Sequence, residues 1–171
     1  MKTLIPENKF YLIRLFNLRV CSVKKLNYCL AHFSQSVQKK IKANSKKQTQ
    51  MLAIASQWFK LNHINRYQSI SHSGNYCICI DAAFPVGIDL ESIDRKVNWK
   101  KIQQRFFTKK EQHLIHDQVT FTKAWTKKEA LYKMLDQFTN TTKWTDLTTC
   151  SKKYHFVTKQ IDDKYLFTFC F

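Results

Sequence analysis

At 171 residues, the chain is the size of one domain, or of two small half-domains sharing a core. An apolar fraction of 44% with 14% aromatic residues excludes a disordered tail, and no apolar run approaches the roughly 20 residues that a membrane span needs. Lys and Arg total 29 against 12 Asp and Glu, a net charge of +17, which calls for a polyanion or an acidic protein as partner.

The charge is unevenly spread. Residues 1–88 hold 13 basic and 2 acidic residues, and residues 89–171 hold 16 and 10. No opening stretch joins a basic start to an apolar core and a small-residue cleavage site, so no secretory leader is expected. The six cysteines (Cys21, Cys29, Cys77, Cys79, Cys150 and Cys170) form no CxxC pair and read as reduced thiols of a cytoplasmic protein. Cys77 and Cys79 are spaced to share one face of a strand, where a metal pair is the lesser alternative to buried thiols.

In chain order, residues 9–20 (KFYLIRLFNLRV) predict a strand, followed by a second basic-apolar stretch to about Leu30. From Ser34 to Phe59 the apolar positions Val37, Ile41, Met51, Leu52, Ala55 and Trp58 fall near helical spacing. One or two helices are expected there, interrupted at Asn44-Ser45, with a short polar connection from Leu61 to Gln68. The run SISHSGNYCICIDAAFPVGIDLE reads as a strand, a turn at Asp81-Ala82 and a second strand, in the manner of a β-hairpin. The only two glycines, Gly74 and Gly87, both lie in this region.

A short helix is expected from Asn98 to Phe106. Thr108 followed by Glu111 has the spacing of a capping box, which gives Glu111 a structural explanation as good as a catalytic one. A longer helix is expected from Val119 to Asp136, with Phe121, Trp125, Glu129 and Lys133 on one face. Glu129 and Lys133 would form an ordinary surface ion pair, worth about 0.3–0.5 kcal/mol, unless the aromatic residues above them bury the carboxylate. The tail from Lys143 to Phe171 alternates and predicts two or three strands.

Asp89 and Glu91, two apart on a strand, point to one side, and Glu129 from a facing helix would complete a half-shell of hard oxygen ligands. Magnesium takes a few carboxylates and fills its octahedron with water and substrate phosphates, so a diphosphate is the natural guest and the lysine excess suits its other oxygens. Neither a GxxxxGK[ST] loop nor a GxGxxG run occurs. Spacing alone therefore leads to a magnesium–phosphate site and no further.

The residues carry a more specific resemblance. Gly87-Ile88-Asp89-Leu90-Glu91, Phe107-Thr108-Lys109-Lys110-Glu111, and Trp125-Thr126-Lys127-Lys128-Glu129-Ala130 with Lys133 resemble the GxDxE, FxxxE and WxxKEAxxK motifs of the 4'-phosphopantetheinyl transferases, in that order. Ser71-His72-Ser73 resembles the SHS motif of the larger, pseudo-dimeric type that activates surfactin synthetase. The match runs from Ile70 to Leu135. The resemblance implies an α+β fold of two similar halves related by a pseudo-twofold, residues 1–85 and 86–171, with the N-terminal half shortened and coenzyme A in the cleft between them.

The implied reaction moves the 4'-phosphopantetheine arm of coenzyme A to a serine of an acyl or peptidyl carrier protein and releases adenosine 3',5'-bisphosphate. Asp89, Glu91 and Glu129 would hold magnesium, Glu111 would be the base for the incoming serine, and Lys133 would contact the phosphates. His72, with Ser71 and Ser73, would lie near the 3'-phosphate or ribose of coenzyme A. An acidic carrier protein, of fatty-acid, polyketide or nonribosomal-peptide biosynthesis, would account for the positive surface, and the protein would act as a monomer.

Three features depart from the family pattern. The connection FKLNHINRYQSI lacks the usual glycine-lysine-proline element, so Arg66 or Lys60 would have to serve. The N-terminal helix carries Gln48 and Gln50 beside Lys46 and Lys47, and DQFTNTTKW replaces a glycine-rich element. Two rival readings follow: a degenerate member that binds an acidic carrier or other anionic partner without catalysis, and a nucleic-acid binder supported by charge alone, with no helix-turn-helix or zinc-finger signature.

Overall fold

A computed structural model describes residues 11–62, 65–137 and 144–171. Residues 9–10 of the expected first strand, 63–64 of the expected connection and 138–143, which include most of DQFTNTTKW and the start of the expected tail, lie outside the described residues. The fold is mixed α+β, as expected, with two three-stranded antiparallel sheets and seven helices among the described residues.

The first sheet is built from β1 (Tyr11–Asn17), β2 (Tyr67–Ser73) and β3 (Tyr76–Ala82), in the order β1-β3-β2. Between β1 and β2 run α1 (Val23–Ala31), α2 (Gln35–Lys42) and α3 (Lys47–Asn62). The break expected at Asn44-Ser45 falls between α2 and α3. The connection expected over Leu61–Gln68 is shorter, because α3 runs to Asn62 and β2 starts at Tyr67.

The expected turn at Asp81-Ala82 needs correction. Both residues lie within β3, opposite Leu12 and Tyr11 on one side and Gln68 and Tyr67 on the other. The chain reverses instead between β2 and β3 at Gly74, whose φ of +56° lies in the region that glycine enters without a Cβ penalty. A Cβ there would also sit 2.3 Å from the Tyr165 hydroxyl.

The second sheet joins β4 (Gly87–Ser92), β5 (Phe156–Ile161) and β6 (Tyr165–Cys170) in the order β4-β6-β5. Its crossover holds α4 (Trp99–Phe106), α5 (Lys109–Gln112), α6 (Gln118–Asp136) and α7 (Leu147–Cys150). The tail thus contains two strands and a short helix. Asp162 and Asp163, with φ of 49° and 51°, turn β5 into β6 with the two positive-φ residues of a hairpin whose turn matches the strand twist.

The sheets meet through alternation. On β3, Ile78 and Ile80 join Ile13, Ile88, Leu90, Phe167 and Phe169 in the core between the sheets, while Cys77 and Cys79 face Ala55 and Phe59 of α3. These two thiols are 3.8 Å apart and fully buried, which matches the thiol reading, and no cluster of three metal-ligating side chains occurs among the described residues. On β4, Ile88 and Leu90 enter the shared core, so Gly87, Asp89 and Glu91 face α6. At Gly87 a Cβ would come within 1.8 Å of the Ala130 carbonyl oxygen. The absence of a side chain there lets α6 lie against β4 and sets the distance between the two carboxylates and the helix.

Candidate active site

Asp89 is buried at 4% exposure. Its Oδ1 accepts from Lys133 Nζ at 2.7 Å and from Ser71 Oγ at 2.8 Å, while the equally buried Oδ2 has no hydrogen-bond partner. Lys133 also donates to the Ile88 carbonyl at 3.2 Å. The lysine therefore reaches across to β4, and its ion pair is with Asp89, not the surface pair with Glu129 that helical spacing alone suggests.

Glu91 lies two residues along the same face. Arg95 Nη1 donates to its Oε1 at 2.6 Å and Ser73 Oγ to its Oε2 at 3.3 Å. Burial and the nearby Asp89 charge push its carboxyl up to about 7 in spite of Arg95. Burial and Asp89 also hold the Glu129 carboxyl above its ordinary range, opposed by Lys133 and Arg95. The structure thus brings Asp89, Glu91 and Glu129 into mutual electrostatic reach, and the penalty for charging all three is what a bound cation would relieve. The described residues hold no ready-made cluster of three metal-ligating side chains; the open Asp89 oxygen and its carboxylate neighbours have the hard-oxygen chemistry of a divalent ion that takes few protein ligands and keeps most of its own waters.

Glu111 is placed differently. It sits at 3% exposure at the start of α5, in the expected capping box with Thr108. Its Oε1 accepts from Lys128 Nζ at 2.7 Å and Leu147 N at 2.8 Å. Its Oε2 accepts from Lys128 Nζ at 2.9 Å and Thr108 N at 2.6 Å. A general base needs an oxygen open to the incoming proton, whereas this carboxylate ties α5, α6 and the start of α7 together. Lys128, itself 2% exposed and 4.6 Å from the centre of the Phe107 ring, is the residue that sequence reasoning missed. Its signal was present: Lys128 falls seven residues after Phe121 and three before Leu131, on the buried stripe of α6.

The SHS residues also divide. His72 is exposed on β2, on the strand face opposite Ser71 and Ser73. The two serine hydroxyls point into the seam with β4, where they meet Asp89 and Glu91. Ser69, which drew no attention in the sequence, joins them there: its Oγ accepts from Ile88 N at 3.0 Å. Beside the seam lies a cleft of about 330 Å³ whose walls include Lys60 from the end of α3, Ser69, and Tyr132 and Lys133 of α6.

No curated protein matches the sequence at a significant level. Residues 85–166, which carry β4, the Asp89–Glu91 pair, Glu111 and the whole of α6, match the 4'-phosphopantetheinyl transferase superfamily.

Proposed function

We propose that the protein is a magnesium-dependent holo-carrier-protein synthase, which transfers the 4'-phosphopantetheine arm of coenzyme A to a serine of an acidic acyl or peptidyl carrier protein. The superfamily supports phosphopantetheinyl transfer, with coenzyme A and a carrier protein as partners in general. The observation that carries the finer reading is the buried Asp89 oxygen left without a partner, next to two carboxyls with raised pKa. Asp89, Glu91 and Glu129 would hold the cation, which when bound neutralises charge on the diphosphate.

In this reading the serine oxygen attacks the phosphorus that bears the pantetheine arm, the bond to adenosine 3',5'-bisphosphate breaks, and the serine proton passes to a base. Lys133 stands at the wall of the cleft with one contact on Asp89, placed to meet the anionic diphosphate. Lys60, across the cleft, supplies a cation where the family's usual glycine-lysine-proline element is lacking. Glu111 can take the serine proton only once its Lys128 pair opens.

The division into halves, residues 1–85 and 86–171 related by an approximate twofold as in the larger pseudo-dimeric type, belongs to the same proposal. It is supported by the repeated strand order, first-third-second, in the two sheets. No helix among the described residues is long and apolar enough to cross a membrane, and a monomer acting in the cytoplasm is the simplest setting.

The test is the intact mass of candidate carrier proteins after incubation with coenzyme A and Mg2+. A gain of one phosphopantetheine arm is expected, and it should disappear in EDTA and with Asp89→Ala. Labelling that persists in EDTA would remove the metal mechanism. Coenzyme A binding without any labelling across carriers would favour the degenerate, binding-only reading.

A further inference from the structure

The seam between the two sheets has an unusual construction. Strands β2 and β4 are the facing edges of their sheets, and β4 presents its backbone N–H groups to β2. Side-chain hydroxyls receive them: Ile88 N donates to Ser69 Oγ at 3.0 Å, Leu90 N to Ser71 Oγ at 3.2 Å, and Ser92 N to Ser73 Oγ at 3.1 Å. The offset is a constant 19 residues, so the two strands run parallel and advance in step. Edge N–H groups are strong donors that must be satisfied when buried, and three serines spaced by two do this without a backbone ladder.

Each serine hydroxyl has one proton to give. Ser71 gives it to Asp89 Oδ1 at 2.8 Å and Ser73 gives it to Glu91 Oε2 at 3.3 Å, in each case the residue 18 positions ahead. For Ser69 that residue is Gly87, which has no carboxylate. The runs Ser-x-Ser-x-Ser and Gly-x-Asp-x-Glu are thus laid side by side in register.

We propose that Ser71 is a positioning residue for Asp89: held by the Leu90 N–H, its hydroxyl fixes one carboxylate oxygen together with Lys133 and leaves the other, Oδ2, facing the cation site. Ser73 holds Glu91 Oε2 from the same seam, with Arg95 on the other oxygen. A hydroxyl whose single proton is committed to a carboxylate has none to offer the 3'-phosphate of coenzyme A, so this role replaces the one the motif resemblance assigned to the two serines. The inference rests on the metal-dependent reading above, and Mn2+ binding tests it without coenzyme A, carrier protein or turnover.

Metal-stripped protein is titrated with Mn2+ and the free ion is read by electron paramagnetic resonance. Loss of a partner that orients a metal ligand typically weakens metal binding about 10–100-fold, and Ser71→Ala should raise the Mn2+ dissociation constant by at least about tenfold. Ser71→Thr, which keeps the hydroxyl, should stay within about threefold of the parent protein. Ser69→Ala breaks the same kind of seam bond with no carboxylate behind it. It should lower the thermal midpoint as Ser71→Ala does, yet shift Mn2+ affinity by less than about twofold.

If Ser71→Ala proves unfolded by near-ultraviolet circular dichroism, Ser71→Cys, a weak donor of similar shape, takes its place with the same expected loss. Mn2+ affinity unchanged by removal of the Ser71 hydroxyl overturns the proposal. So does an equal loss in the Ser69 and Ser71 variants, because that would be a general loosening of the seam. An unmodified protein that binds no Mn2+ at all overturns the metal-dependent reading itself, and this inference with it.

Discussion

The two halves use one strand order for two jobs. In the first, β1-β3-β2 carries its helices on one side and its shared core on the other, and residues 11–80 contain 11 cations and no Asp or Glu. In the second, β4-β6-β5 is wrapped by α6 closely enough to exclude a Cβ at Gly87, and it supplies every carboxylate of the candidate site. The comparison teaches that the fold itself does not make the site. The site comes from what lies on β4 and α6 and from the serines that the acid-poor half lends across the seam.

The sharpest way to break the comparison is at the glycines, one in each half. Gly87→Ala places a methyl group 1.8 Å from a backbone oxygen of α6 and near the Met134 backbone nitrogen, neither of which can rotate away. Overpacking of this kind costs about 1–3 kcal/mol and occasionally more, and here the upper end is expected because strand and helix must separate. Gly74→Ala meets the end of one tyrosine side chain, with a left-handed backbone as its main penalty, about 1–2 kcal/mol. Urea denaturation of both variants would check the order. A smaller loss at Gly87 would mean that α6 is free to shift on the sheet.

The Glu111–Lys128 pair sharpens the contrast from inside the second half. Breaking a buried ion pair by removing one partner costs about 3–5 kcal/mol, and Glu111→Gln leaves the Lys128 ammonium buried with no countercharge. A large fall in thermal stability is therefore expected. Should Glu111→Gln instead keep its melting temperature and lose carrier labelling, Glu111 is the base after all, and the pair opens during turnover.

These residues also show what the sequence made legible. Helical spacing found α6, and the capping box announced the environment of Glu111. The period of two placed Asp89 and Glu91 on one face, all from rules that act within a few residues. The partners of those groups lie far along the chain: Lys133 is 44 residues from Asp89 and Ser71 is 18. Local periodicity cannot choose between Glu129 and Asp89 as the partner of Lys133, since only the closeness of β4 to α6 decides it. The misplaced hairpin turn has a similar cause. The alternation through Asp81-Ala82 continues unbroken to Ala82, and the positive φ at Gly74, more than any drop in hydrophobicity, marks where the chain reverses.

A subtler difference between the halves should appear with pH. Glu91 has its folded-state carboxyl raised from 4.5 to about 7, mainly by burial and then by Asp89. A carboxyl whose pKa is raised by folding stabilises the fold fully below its unfolded value, and that contribution is lost as pH rises through the folded value. Metal-free protein should therefore lose stability between about pH 4.5 and 7, with Glu129 acting in the same direction. On the metal-dependent reading, saturating Mg2+ should flatten or reverse the trend, because the ion would bind the ionised carboxylates. Denaturant titrations at several pH values, in EDTA and in Mg2+, would show it. A metal-free curve that is level across this range would mean that water reaches Glu91 and that the three carboxylates are not crowded.

The smallest expected effect concerns the acid-poor half. Lys39, Lys40 and Lys42 lie on α2, all three exposed, with no acidic residue anywhere between positions 11 and 80 to offset them. Surface substitutions of this kind change stability by no more than about 0.5 kcal/mol, so Lys39→Glu with Lys40→Glu should leave the melting temperature almost unmoved. Charges at the rim of an interface act on encounter rate and salt dependence. If the positive half steers an acidic carrier protein, the double variant should raise the carrier KM a few-fold at low ionic strength and leave the coenzyme A KM alone. The difference should vanish near 1 M salt, where the screening length is about 3 Å. A carrier KM that is insensitive to both the substitutions and the salt would confine carrier recognition to the half that holds the carboxylates. The charge of the first half would then be left to the cleft proposed for coenzyme A, where Lys60 stands.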